Sequence, residues 1–269
     1  MSETKNLIKK IVSWIKSYAV TNGIDSLVVG VSGGIDSAVV ERLCELTGLP
    51  VHCVAMPMEM HQDSNPDSLQ NTMELCVNRG DNVKFYIRPI GSIVRAYLEA
   101  GIGVESDLLQ GNVRSRIRAN ILYDFAGSLG GIVVGTGNKD EDEIGYFTKG
   151  GDGLVDICPL SLIHKSQVKK MSEMLEVPQS IIDAPPTAGL QDGQTDEGDL
   201  GMTYDEIEWA LTDGKSGKEP EAKDKWLGPG AHYSENKEGA CKRVKEKVAA
   251  MVAKNAHKLK YPPVFGPNK

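Results

Sequence analysis

Val28–Val40 reads VVGVSGGIDSAVV, and the pair of glycines in its middle decides the fold. Before them, the apolar run Ser26–Val31 has the length and β-branched content of a buried strand. After them, from about Asp36, Ala38, Val39, Val40 and Leu43 continue as a helix. Gly33 and Gly34 are the break between the two. Such a junction turns backbone N–H groups and the positive end of a helix toward one point, which suits an anion. Ser32 and Ser37 add hydroxyl donors, and Asp36 adds a carboxylate able to hold magnesium. No lysine follows the glycines, so this is not the lysine-bearing loop that grips terminal phosphates. A turn that merely packs a helix onto a sheet is the plainer alternative.

Working outward, Leu49–Met56, Val83–Ile87 and Gly130–Gly135 read as further strands. Helical segments fall at residues 4–20, 67–78, 92–99 and 111–129. In the first, Leu7, Ile11, Ile15 and Tyr18 share a face. Strands alternating with helices predict an α/β fold, a doubly wound parallel sheet with helices on both faces. With no repeat and no linker, residues 1–269 read as a single domain.

In an open parallel sheet, ligands gather at the C-terminal ends of the strands. That nominates the polar loop 57–66, the run Thr136–Glu141 and the glycine-rich stretch 145–156, which carries Lys149, Asp152 and Asp156. Arg114, Arg116 and Arg118 cluster at the head of the 111–129 helix, either as an anion site or as a solvated edge. Lys165 heads a helix within 159–176, where its charge opposes the dipole and so hints at a task such as gripping a phosphate. Residues 183–201, with Thr187 among them, read as a mobile lid. Tyr204–Leu211 reads as a short helix and residues 213–240 as irregular. A last helix at 242–254 leads to Ala256-His257-Lys258 and a proline-rich tail.

Composition narrows the function. A net charge of −7 argues against a nucleic-acid surface. Five cysteines without C-x-x-C spacing suggest neither a zinc site nor a disulfide framework. With no signal-peptide run and no apolar stretch of membrane-span length, the expected location is the cytoplasm.

The spacing S-G-G-x-D-S resembles the pyrophosphate loop of the N-type ATP pyrophosphatases, whose fold is adenine nucleotide alpha-hydrolase-like. Further stretches sharpen the resemblance. SGGIDS (32–37), GNVRSRIR (111–118), GTGNKDEDEIGYFTKGGDG (135–153), PLSLIHKSQV (159–168), PPTAGLQDGQTDEGDLGMTYDEI (185–207) and AHK (256–258) together resemble the ammonia-dependent NAD synthetases, in that family's order. The resemblance implies amidation of deamido-NAD with ammonia, through an acyl adenylate, to give NAD, AMP and pyrophosphate. It implies ATP contacts from Gly30, Val31, Ser32, Gly33, Gly34, Ile35, Asp36, Ser37, Thr136, Lys165 and Thr187. Mg2+ would sit on Asp36 and Glu141, and deamido-NAD on Arg116, Lys149, Asp156, His257 and Lys258. Lys165 and Asp152 are the expected catalytic residues, Asp152 as the carboxylate that receives the ammonium proton. A homodimer is implied, with the dinucleotide at the interface and the 112–129 helix in it. The chain departs from the family in SRIRA, where an A-R-x-R-M run is common, and in a longer 213–240 segment. Another SGGxDS ATP pyrophosphatase, GMP synthetase-like or tRNA-modifying, would share only the first loop. A nucleotide-binding module without catalysis would release no pyrophosphate.

Overall fold

The computed structural model describes residues 3–59, 66–77, 79–101, 106–186, 195–228 and 231–260. Four parallel strands form the central sheet: β1 (Ser26–Gly30), β2 (Val51–Ala55), β3 (Val83–Ile87) and β4 (Gly131–Val134). Their order is β3-β2-β1-β4. Leu27 lies opposite both Val51 and Ile132, and Val29 opposite both Cys53 and Val134. The chain steps outward from β1 to β3 and then returns to the other side of β1. The β1/β4 border is therefore the point where the winding reverses, and there the loops leaving two adjacent strands part to make a crevice.

The two-residue period of the strands separates two cores. Leu27, Val29, Val51, Cys53, Ile132 and Val134 face one layer, while Val28, Val54 and Val133 face the other. The first layer is built by α1 (Glu3–Thr21), α2 (Ile35–Glu45), α3 (Pro66–Cys76) and, beyond the sheet, α7 (Lys165–Met174) with the short α8 (Gln179–Ile182). The second is built by α4 (Gly91–Ala100) and α5 (Asp107–Ser128), through Val94, Val113, Ile117 and Ala126. The doubly wound expectation holds. A third cluster joins α6 (Lys139–Ile144), α9 (Asp196–Leu200), α10 (Tyr204–Leu211) and α11 (Lys237–Asn255) through Ile144, Leu200, Ile207, Val244 and Val248. Among the described residues no helix is long and apolar enough to cross a membrane.

Several elements differ from the sequence reading. The buried face of α1 carries Ile8, Ile11, Ile15 and Ala19, whereas Tyr18 turns outward beside Trp14. Residues 139–144 are helical although the run KDEDEI has no apolar period. Residues 213–240 contain an antiparallel hairpin, β5 (Lys223–Gly228) with β6 (Ala231–Glu235), and α11 starts at Lys237. The 183–201 stretch, read as loop throughout, holds α9; its residues 187–194, with Thr187, lie outside the described residues. Ala256–Lys258 form a 3-10 turn, and the proline-rich tail lies outside the described residues.

Candidate active site

Gly33 makes the turn after β1 with φ +81°, a left-handed conformation that favours glycine. A side chain there would also collide with α3, since a Cβ would lie 2.8 Å from Ser68 Cα. The two serines brace the loop. Ser37 Oγ donates to the Gly34 carbonyl at 2.9 Å and accepts from the Ser32 N–H at 3.2 Å. Ser32 Oγ accepts from the Gly34 N–H at 3.3 Å. Gly34 occupies the N-cap position of α2 with no side-chain cap, so the first amides of that helix face the crevice without one.

Across the crevice, β4 ends and α6 begins. Asn138, fully buried, caps α6 by accepting from the Glu141 N–H at 3.1 Å, and Glu141 Oε2 accepts from the Asn138 N–H at 3.2 Å. This reciprocal box explains why so polar a segment is helical. Asn138 Nδ2 also donates to Asp36 Oδ1 at 3.1 Å and so ties the two crevice loops together. Lys165, at the first turn of α7, forms a short ion pair with Asp36 and lies 3.8 Å from Glu141 Oε1. Its ammonium sits over the Tyr204 ring, 4.6 Å from the centroid. Tyr204 Oη lies 3.0 Å from Glu141 Oε1 and 3.1 Å from Asp196 Oδ2.

Asp36, Glu141 and Lys165, three residues picked from three distant stretches, thus meet at the reversal point of the sheet. Their side chains are 16%, 17% and 12% exposed, sheltered yet open to a ligand. Burial pushes the Glu141 carboxyl up to about 8, with the Asp36 charge adding to the rise against the pull of Lys165. Burial acts to lower the Lys165 ammonium, but Asp36 and Glu141 outweigh it and hold the group above the ordinary lysine range. Here the lysine that opposes its own helix dipole has a compensating pair of carboxylates.

Of the other predicted residues, Arg116, Lys149, Asp152, Asp156 and Lys258 lie on or against the glycine-rich loop. Arg116, exposed on α5, donates from Nε to the Lys149 carbonyl at 3.2 Å, which brings two of them together. Asp152 Oδ1 accepts from Ser115 Oγ at 2.6 Å and from the Thr148 N–H at 3.0 Å, closing the loop onto α5. Asp156 Oδ2 accepts from the buried Val133 N–H of β4 at 2.7 Å, and Tyr123 Oη donates to its Oδ1 at 3.3 Å. Lys258 Nζ donates to the Gly145 and Phe147 carbonyls at 2.7 and 2.8 Å, so its ammonium anchors the end of α6. His257 is exposed, with Nδ1 3.2 Å from the Lys254 carbonyl. Thr136 follows β4 at the crevice.

Asn138 and Tyr204 were missed by the sequence reading. Asn138 had a signal, since Asn138-Lys-Asp-Glu141 is a capping-box pattern. Tyr204 had none, because only tertiary packing brings it to Glu141.

A family model described as NAD synthase matches residues 7–262. The chain belongs to the NAD synthase family. Among relatives, an NH(3)-dependent NAD(+) synthetase of Pyrococcus furiosus is 33% identical over 94% of this chain and 93% of its own. One of Methanococcoides burtonii is 40% identical over 75% of this chain and 76% of its own. Among solved structures, an NMN synthetase from Francisella tularensis superposes with a TM-score of 0.81 at 31% identity, covering both chains completely. An NH3-dependent NAD synthetase from Campylobacter jejuni, at 23% identity and a TM-score of 0.75, shares the fold. As a member of the NAD synthase family, the chain is an ATP-dependent ligase of the ammonia-dependent class.

Proposed function

We propose that the chain amidates deamido-NAD with ammonia, consuming ATP and releasing AMP and pyrophosphate. The observation that carries this reading is the convergence of Asp36, Glu141 and Lys165 beside the glycine turn of Gly33 and Gly34. A carboxylate does not react with ammonia in water, because its ionised oxygen is a poor leaving group. Transfer of AMP to that oxygen forms an O–P bond and breaks the α–β phosphate bond of ATP. Ammonia then displaces AMP at the acyl carbon, and one proton is lost from nitrogen.

The residues divide this work. Gly30–Ser37 would cradle the phosphates, with Thr136 and Thr187 completing the ATP contacts. Lys165, already cationic between two carboxylates, would turn toward the charge that builds on the departing pyrophosphate. Asp36 and Glu141 are hard oxygen donors of the kind magnesium takes, and they lie close enough for Lys165 to contact both. Bound there with phosphate oxygens and waters, magnesium would neutralise charge on the phosphates. Arg116, Lys149, Asp156, His257 and Lys258 would line the dinucleotide side. Asp152 would attract ammonium and receive its proton, using carboxylate capacity left beyond Ser115 and Thr148.

A homodimer through α4 and the start of α5 fits the exposure of Ile93, Tyr97, Leu108 and Leu109 there. Light scattering of the purified chain checks it, and a monomer at micromolar concentration would remove the interface from the reading.

A second substrate has specific support. The complete overlap with an NMN synthetase at 31% identity makes nicotinic acid mononucleotide a competing acid. Pyrophosphate release from Mg-ATP, with either acid and with or without ammonium chloride, separates the two. Release that needs deamido-NAD, with NAD appearing only when ammonium is added, is the expected result. A higher kcat/KM for the mononucleotide would transfer the assignment. Release with neither acid would overturn both.

A further inference from the structure

A second cluster lies directly behind the crevice. Asp140 in the first turn of α6, His164 just before α7 and Glu208 on α10 bring one potential ligand atom each to within 4.8 Å of one another. All three are buried, at 0%, 8% and 2% exposure. His164 Nδ1 lies 2.6 Å from Asp140 Oδ1, and Asp140 Oδ2 accepts from the Lys165 N–H at 2.8 Å, which fixes both side chains. Glu208 Oε2 is different: it is buried and has no hydrogen-bond partner. A buried carboxylate oxygen left in this way is costly, and the imidazole beside it balances at most one of two carboxylates. His164 and Glu208 also line a cavity of about 430 Å³, which leaves room for water next to the cluster. Lys218, on the same cavity, already pairs with Glu221 at 2.9 Å.

We propose that Asp140, His164 and Glu208 are ligands of a divalent transition-metal ion of the zinc class, held outside the ATP crevice and joining α6, α7 and α10. One imidazole nitrogen with two carboxylate oxygens is a donor set of that class, whereas magnesium prefers oxygen alone in octahedral geometry. Ligands of tetrahedral zinc stand about 3.3 Å apart, as bond lengths of about 2.0–2.1 Å require. The 2.6 Å Asp140–His164 contact would therefore open and Glu208 would close by side-chain rotation. Water from the cavity completes the fourth position. The ion satisfies the orphaned oxygen of Glu208 and neutralises the two carboxylates together.

Position gives the site a consequence. Asp140 immediately precedes Glu141, and His164 immediately precedes Lys165. An ion on the first pair would hold the helix ends that present the second pair to the crevice. The proposal does not depend on which acid the enzyme amidates.

The test uses the full chain, stripped with EDTA and returned to millimolar Mg2+, with Zn2+ titrated by calorimetry. Co2+ absorption serves as the spectroscopic probe of the ligands. The expected result is one equivalent of Zn2+ bound, a raised Tm and Co2+ bands in the visible range without thiolate charge transfer. Glu208→Gln and His164→Gln should each weaken binding by at least about 100-fold, beyond what losing a mere supporting contact costs. Asp36→Asn should leave it unchanged. Glu208→Gln keeps the shape and removes the unpaired charge, so in EDTA it should be at least as stable as the parent, and lost binding then reports a lost ligand. No saturable Zn2+ binding would overturn the proposal. So would binding that survives both glutamine variants, binding lost only in Asp36→Asn, or Co2+ bands showing thiolate ligation.

Discussion

Residues 140 and 141 are neighbours, as are 164 and 165, yet each pair divides between two clusters. Glu141 and Lys165 meet Asp36 in the crevice, while Asp140 and His164 meet Glu208 behind it. The front cluster carries its own cation, and its carboxylates are supplied by Asn138, Tyr204 and Lys165. The rear cluster is more deeply buried, and one of its oxygens has no partner. Two carboxylates are thus handled in two ways on the same helix ends. In front, Lys165 offsets the two carboxylates from within the chain. Behind, one imidazole stands beside two carboxylates, and Glu208 Oε2 is left without a hydrogen-bond partner.

If the front cluster works because Lys165 balances it, Lys165→Met should have the largest effect. On the proposed mechanism the variant would remove a cation from the developing pyrophosphate charge, and the pyrophosphate release rate should fall by about 10²–10³-fold. It also leaves Asp36 and Glu141 facing each other, and removing one partner of a sheltered ion pair costs about 3–5 kcal/mol. Some of that cost should disappear at low pH, where Glu141 takes up a proton, and without the pull of Lys165 it does so at a higher pH than in the parent. A denaturant series at pH 6.5 and 9 checks the sign, with the larger loss of stability expected at pH 9. A variant that retains its full rate would make Lys165 a structural counter-ion only.

Asn138→Ala should come next, because it breaks the cap of α6 and the tie to Asp36 with one substitution. Loss of a cap costs about 1 kcal/mol. A residue that orients a ligand-binding carboxylate is worth about 10–100-fold in activity or metal affinity. Thermal unfolding and the KM for Mg-ATP measure the two parts separately. A lowered Tm with an unchanged KM would mean that Asn138 serves the helix and not the crevice.

The parts of the fold that were legible share one property: local sequence carried them. Val28 and Val29 alternate between two cores because a strand has a period of two, and Gly33 announces its turn because glycine favours the left-handed conformation found there. Lys165 stood out because its charge opposed its helix. By contrast, α6 has six residues and no apolar stripe, and its stability comes from a buried cap. The β5 strand, KDKWLG, is dominated by charge and lacks the alternation that marks a strand facing a core. Tyr18 was placed on the wrong face of α1 because Ala19, small and silent in a hydrophobic pattern, is the residue that packs. The rear cluster was invisible for a related reason. Asp140 and His164 look like neighbours of functional residues, and only the packing of α10 brings Glu208 to them.

The smallest effect is expected at Tyr204, and it tests how the front cluster sets the protonation of Glu141. Tyr204 Oη lies within hydrogen-bond reach of both Glu141 and Asp196, but a hydroxyl carries one proton and can donate to one carboxylate at a time. Its contact with Glu141 favours the ionised carboxylate and opposes the larger upward push of burial. Tyr204→Phe removes that contact, so Glu141 should hold its proton to still higher pH. Glu141 must be ionised to take a cation. The acidic limb of the kcat/KM profile for Mg-ATP should therefore move upward, while the rate at pH 9 falls by less than about tenfold, the scale of one shared hydrogen bond. Pyrophosphate release followed from pH 6.5 to 9.5 decides it. An unmoved limb with a uniformly lower rate would mean that the ring under Lys165, and not the hydroxyl on Glu141, is what Tyr204 contributes.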